Sequence, residues 1–136
     1  MIVDTSALVS LVIAERGSEA LFDLLADAPV IKVGAPSLVE AAMVLDGRSR
    51  RWPREASSRL ALIMARFEIE TLAFEPRHWP VAWAAFLRYG KGRHPAALNF
   101  GDCLTYGIAR LSGLPLLCVG EDFAQTDLEL VPLPPS

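Results

Sequence analysis

Four acids in this chain share one kind of position. Asp4 ends the apolar opening "MIV", Glu40 falls in "APSLVEAAMVL", Asp102 in "LNFGDCLTYG", and Asp122 follows the apolar run "PLLCVG". Each lies where a strand gives way to a helix, or where a helix begins. In an open parallel sheet the residues just past the strands' carboxyl ends collect along one edge, so Asp4, Glu40 and Asp122 are expected to meet there. Asp102 belongs to a helix that precedes a strand, and packing must deliver it. Crowded carboxylates repel and raise one another's pKa unless a cation lies among them. Oxygen donors with no nearby His or Cys suit a hard ion, Mg²⁺ or Mn²⁺. Such a site activates water and stabilises charge on a phosphoryl group. Structural readings stand beside this one. With Asn99 as N-cap, Asp102 is the third helical residue, a favourable place for a carboxylate near the positive end of the helix dipole. "SLVE" likewise matches a capping box from Ser37 to Glu40.

The elements that must carry these residues alternate. Met1 to Val3 read as a strand running into the helix "DTSALVSLVIAE". A second helix spans Ser18 to Ala28, and a strand Val30 to Gly34. Pro36 then opens a helix that stops near Gly47, and a long helix follows from about Pro53 to Phe67. "EIETLAF" is a strand, and "PRHWPVAWAAFLRYG" a helix interrupted early by Pro80. Trp79, Trp83 and Phe86 form an apolar stripe on it, assigned to the core, with any exposed part open to a partner. The loop "KGRHPAAL" leads to the helix of Asp102, where Leu104, Ile108 and Leu111 recur as a buried stripe. "PLLCVG" is a buried strand and "LELVPL" a last edge strand. Strands alternating with helices predict an α/β fold around a mainly parallel sheet of four to five strands.

At 136 residues, 52% of them hydrophobic, the chain has room for one core, so residues 1–136 are read as a single domain. No apolar run approaches the roughly 18 residues a membrane helix needs. The opening has no basic segment ahead of its apolar stretch, so no signal peptide is expected. Cys103 and Cys118 form no CxxC or Cys/His cluster and read as small buried hydrophobes in a reducing cytoplasm. The net charge of −3 hides an uneven distribution. Residues 47–66 hold six arginines against Glu55 alone, and residues 88–99 hold Arg88, Lys91 and Arg93 with no acid. That polarity suits a phosphate-bearing partner over an acidic centre, or merely a solvated helix face.

The sequence resembles a PIN-domain ribonuclease, specifically a VapC-type toxin of a bacterial type II toxin–antitoxin pair. The residues that carry the likeness are "MIVDTSAL", the glutamate of "APSLVEAAMVL", "YGKGRHPAALNFGDCLTYGIAR" and "GLPLLCVGEDFAQTDL". They span nearly the whole chain, and the combination in this order is specific where any one alone is weak. The resemblance implies a three-layer PIN-like domain. It implies Asp4 and Asp102 as principal Mg²⁺ ligands, and Glu40 as the acid that positions metal or attacking water. Thr5 and Ser6 match the hydroxyls after the first aspartate. Many relatives carry their fourth acid two residues before Asp122, where this chain has Gly120, so Asp122 and Asp127 are both candidates. The implied reaction is metal-dependent hydrolysis of RNA to a 5′-phosphate and a 3′-hydroxyl. Lys91, Arg93 and one of Arg50 or Arg51 would draw in the RNA backbone, and Trp52 and Tyr89 would stack on unpaired bases or belong to the core. His94 reads as a phosphate contact or a solvated loop residue. A homodimer and a VapB-like antitoxin lying in the active-site groove are implied partners, with a cytoplasmic location.

Two other classes compete. A haloacid-dehalogenase-type phosphatase also opens on a strand ending in aspartate, but expects a second aspartate where this chain has Ser6. An inactive PIN-like module that binds RNA or protein would show the same acids without cleavage.

Overall fold

The computed structural model describes residues 1–48 and 53–135. Arg50, Arg51 and Trp52 lie outside the described residues. In chain order the elements are β1 (Ile2–Val3), α1 (Thr5–Ile13), α2 (Ser18–Asp27), β2 (Lys32–Gly34), α3 (Ala35–Arg48), α4 (Pro53–Arg66), β3 (Glu70–Leu72), α5 (His78–Tyr89), α6 (Phe100–Ser112) and β4 (Leu116–Leu117). The strands form one parallel sheet in the order β3-β2-β1-β4. Ile2 pairs with Lys32 on one side and Leu116 on the other, and Val33 pairs with Thr71.

Alternation along two very short strands sets the layers. Val3 and Leu117 pack with Leu8, Leu11, Leu21, Leu45, Leu60 and Ile63 from α1 to α4. Their neighbours Ile2 and Leu116 face the other way, onto Ala82, Ala85 and Tyr89 of α5 and Tyr106 and Ile108 of α6. The result is two helical layers with the sheet between them, the three-layer α/β arrangement the sequence leads one to expect. The edge strand expected in "LELVPL" is reduced to one parallel bridge, Leu130 with Leu116, and its following prolines lack the donors to extend it.

Two helix expectations need correction. Pro80 does not interrupt α5, because it falls in the first turn, where its missing N–H would have had no helical partner. Of the stripe on α6, Ile108 is buried but Leu111 is 38% exposed. α6 is buried instead through Cys103, Tyr106, Ile108 and Ala109. Gly107 makes this seat close, since a Cβ there would come within 3.2 Å of the His78 carbonyl oxygen on α5. That packing delivers the first turn of α6, and Asp102, to the carboxyl edge of the sheet.

Candidate active site

β1 runs straight into α1 through Asp4, which is the helix N-cap. Its Oδ2 accepts from the Ser6 N–H (3.1 Å) and the Ser6 hydroxyl (2.6 Å). The same hydroxyl accepts from the Val119 N–H at 2.9 Å, and the Asp4 N–H donates to the Leu117 carbonyl. Ser6 therefore ties the exits of β1 and β4 together around Asp4, a residue only 5% exposed. Thr5 turns away from Asp4, its hydroxyl donating to the Ser37 carbonyl at 3.4 Å.

The capping box expected between Ser37 and Glu40 is not formed. β2 passes directly into α3 at Ala35, so Ser37 lies inside the helix. Its buried hydroxyl pairs with that of Thr105 on α6 at 3.2 Å. Glu40 is thereby free of a local task, and its carboxylate lies against Gly101 in the first turn of α6.

Asp102 does form the box expected of it. Its N–H donates to Asn99 Oδ1 at 2.8 Å, and its Oδ2 accepts from the Asn99 N–H at 3.0 Å. Asp122 follows β4 past a turn at Gly120, whose φ of 99° suits glycine.

These four acids, from four separate segments, line one open pocket of about 510 Å³ together with Thr5, Ser6 and Asn99. Glu15, at the exit of α1, is a fifth lining carboxylate that the sequence did not single out. It accepts from Ser10 at 2.7 Å and pairs with Arg48 at 3.2 Å, the only cation among the described lining residues. Asp102 registers the crowding. Burial, then Asp122, Asp4 and Glu40, push its carboxyl up to about 6, against the opposing pull of the Asn99 amide. The Cys118 thiol is pushed up to about 12 by burial and by Asp4, Asp122 and Asp102, so two groups on different elements sense overlapping negative fields. Both cysteines are free and buried, as expected.

The charged donors are carboxylate oxygens, and no His or Cys is among the described lining residues. Among the described residues, no three His, Cys, Asp or Glu side chains are grouped tightly around one point; the acids line a common pocket. Asp4 and Asp102 each hold Oδ2 in a bond to their own helix start, and neither Oδ1 accepts from a described residue. No buried side-chain oxygen is left without a partner among the described residues, so those Oδ1 atoms reach solvent. By donor chemistry, carboxylate oxygens that line one pocket suit a hard divalent cation such as Mg²⁺ or Mn²⁺.

Asp127 is elsewhere. It accepts from the Tyr106 hydroxyl at 2.7 Å and pairs with Arg88 (3.5 Å) and Arg110 (3.4 Å). Burial works to raise its carboxyl, but Tyr106, Arg110 and Arg88 together hold it below the usual range. It does not line the acid pocket, so of the two candidates for the fourth acid only Asp122 is brought to the other three. Lys91 borders a neighbouring apolar groove of about 800 Å³ between α5 and α6, which shares Asn99 with the acid pocket. The Arg93 guanidinium lies over the Phe86 ring at 5.2 Å. Tyr89 is 4% exposed and edge-on to His94, which makes it core and not a base-stacking platform. His94 Nδ1 accepts from the Ala96 N–H. Of the Trp79–Trp83–Phe86 stripe only Phe86 packs against the core; Trp79 is 61% and Trp83 54% exposed along that groove.

Known proteins share this sequence pattern and this fold. Residues 1–129 match the PIN domain family. Ribonuclease VapC36 of Mycobacterium tuberculosis is 47% identical over 130 residues, covering 95% of this chain and 91% of that protein. Ribonuclease VapC of Mycolicibacterium smegmatis is 39% identical over 131 residues, covering 96% and 99%. Among solved structures, M. tuberculosis VapC20, a sarcin–ricin loop cleaving toxin, superposes with a TM-score of 0.75 at 19% identity, covering 96% of this chain and 97% of that one. VapBC2 of Rickettsia felis, bound to a promoter DNA fragment, gives 0.75 at 16% identity over 96% of each chain. With a parallel sheet that gathers acids at its carboxyl edge and relatives this similar over nearly their full length, the chain belongs to the PIN-domain family of VapC ribonucleases.

Proposed function

We propose that this protein is the toxin of a type II toxin–antitoxin pair, an endoribonuclease that hydrolyses RNA phosphodiester bonds with Mg²⁺, or Mn²⁺ in its place. The observation that carries the reading is the pocket where Asp4, Glu40, Asp102 and Asp122 meet. Asp4 and Asp102 would hold the cation through their outward oxygens. Divalent-metal dependence is general among VapC ribonucleases of this family. A bound Mg²⁺ supplies a water of lowered pKa and offsets charge on the non-bridging phosphate oxygens.

The chain's own groups do the rest. Ser6 fixes the Asp4 carboxylate, and Asn99 fixes that of Asp102. Glu40, which takes no hydrogen bond from a described residue, would position the cation or the attacking water, with Asp122 as auxiliary acid. Lys91 and Arg93 would hold the RNA backbone through contacts that carry no sequence information. The negative pocket itself repels RNA, so binding relies on that basic loop and on the cation together.

Antitoxin control is part of the proposal, since solved neighbours of this fold include a toxin–antitoxin complex from Klebsiella pneumoniae. A homodimer is proposed as well, because exposed Trp79 and Trp83 make an apolar face that water penalises. Among the described residues no helix is long and apolar enough to cross a membrane, and the proposed place of action is the cytoplasm. The test incubates purified protein with structured RNA, with and without Mg²⁺, beside Asp4→Asn and Asp102→Asn. Cleavage by the wild type alone, and only with metal, is expected. Intact RNA in every lane would establish a binding module in its place.

A further inference from the structure

The contact between α3 and α6 has an unusual feature at Gly101. This residue sits in the first turn of α6, one position before Asp102. A Cβ built there would overlap the Glu40 carboxylate, lying 2.8 Å from its Cδ and 3.0 Å from Oε1, and closest to Oε2. Gly101 takes a helical conformation with no positive φ, so the backbone does not require glycine. What requires it is the space that Glu40 occupies.

Nor can α3 step back to make room. One turn before Glu40, the Ser37 hydroxyl is bonded to that of Thr105, one turn after Asp102, and both are buried. The Ser37 carbonyl is held in addition by the Thr5 hydroxyl, beside Asp4. Three buried polar groups on α1, α3 and α6 thus lock the helices at a fixed distance immediately behind the three acids. Within that fixed spacing, the bare α6 backbone at position 101 is the notch through which Glu40 reaches the pocket.

We propose that Gly101 is a positioning residue, whose missing side chain admits the Glu40 carboxylate to the space beside Asp102. The inference rests on the metal-dependent reading of the same pocket. It gives Gly101 a role separable from folding, because the group an alanine would strike is the far end of a flexible side chain. Alanine is also the better helix former. Gly101→Ala should therefore keep or raise stability while displacing Glu40.

The experiment compares wild type, Gly101→Ala, Glu40→Ala and the double variant. It reads the melting temperature of metal-free protein, Mg²⁺ affinity by calorimetry, and RNA cleavage. The expected result is an unchanged or higher melting temperature for Gly101→Ala, with Mg²⁺ affinity and cleavage each lower by about tenfold or more, the usual cost of losing support around a ligand set. In the Glu40→Ala background, adding Gly101→Ala should cost nothing further, the mark of two residues acting as one. Equal losses with and without Glu40 would overturn the proposal, as would wild-type Mg²⁺ affinity in Gly101→Ala or a fall of several degrees in its metal-free melting temperature. A wild type that shows no Mg²⁺ response removes the metal-dependent reading and the proposal with it, whereas a responsive wild type matched by Gly101→Ala overturns the proposal alone.

Discussion

Replacing Asp102 by asparagine should make the metal-free protein more stable at neutral pH. Burial and three acidic neighbours lift this carboxyl from its ordinary 3.8 to about 6. A carboxyl raised on folding binds its proton more tightly in the native state than in the unfolded one. Its contribution to stability is then complete below pH 3.8 and is lost as pH rises through about 6. A gap of about 2 pH units sets a ceiling of about 3 kcal/mol at 1.36 kcal/mol each. Asp102 is only half-buried, so solvent screening leaves about 1 kcal/mol. Asparagine keeps an oxygen able to accept from the Asn99 N–H and carries no charge, so the cap survives while the repulsion goes. At pH 7.5 and in chelator, Asp102→Asn should melt about 4 °C above the wild type, by the usual relation for a chain of this size. At pH 4 the two should coincide. Magnesium reverses the order: at ten times its Kd it adds about 1.4 kcal/mol to the wild type and little to the variant. Scanning calorimetry at both pH values, with and without Mg²⁺, decides it. A chelated wild type as stable as Asp102→Asn at pH 7.5 would refute the claim that the acids strain one another.

Asp127→Ala removes the contacts with Arg88, Arg110 and Tyr106 that hold the C-terminal segment. It should lower stability by about 1 kcal/mol while leaving Mg²⁺ affinity at the wild-type value, which a thermal melt and a calorimetric titration will separate. Lys91→Ala and Arg93→Ala should each weaken RNA binding across sequences and lower the slope of log K against log salt by about 1, measured by filter binding from low to moderate salt. Trp83→Glu places a charge on the exposed α5 face and should shift the protein to a monomer in light scattering at micromolar concentration, with its helical circular dichroism unchanged.

Much of the architecture was legible because its punctuation is local. Pro36 and Gly47 bracket α3, and Asn99 announces α6 by a cap whose bonds run only three residues. What was not legible depended on distant partners. "SLVE" has the letters of a capping box, yet Ser37 bonds to Thr105, 68 residues on, because β2 leads into the helix two residues early. Asp122 and Asp127 stand five residues apart in one loop. Only Tyr106, Arg88 and Arg110 decide which of them is claimed elsewhere. On α5, the spacing of Trp79, Trp83 and Phe86 marks a helix face correctly. The face that is buried is its neighbour, His78, Ala82, Ala85 and Tyr89, one residue or about 100° round. Periodicity finds both stripes and cannot rank them. Small Ala82 and Ala85 win because α6 must approach closely at Gly107, and bulky tryptophans would hold it off.

That Asp102 closes the capping box of its own helix does not exhaust what it does. A cap at an open helix start lies beside the positive end of the dipole and accepts an amide hydrogen bond, and both influences hold a carboxylate at or below its ordinary pKa. Here the Asn99 amide exerts that pull, and the carboxyl nevertheless stands at about 6. The excess comes from burial and from Asp122, Asp4 and Glu40, which arrive on other elements. Helix energetics alone would place a carboxylate at this position but would not surround it with three more. Asp4 repeats the pattern on α1, one oxygen committed to Ser6 and the other left open to the pocket. In both residues the cap is the fixture that aims a charged oxygen, and the neighbours make that aim costly unless a cation accompanies it.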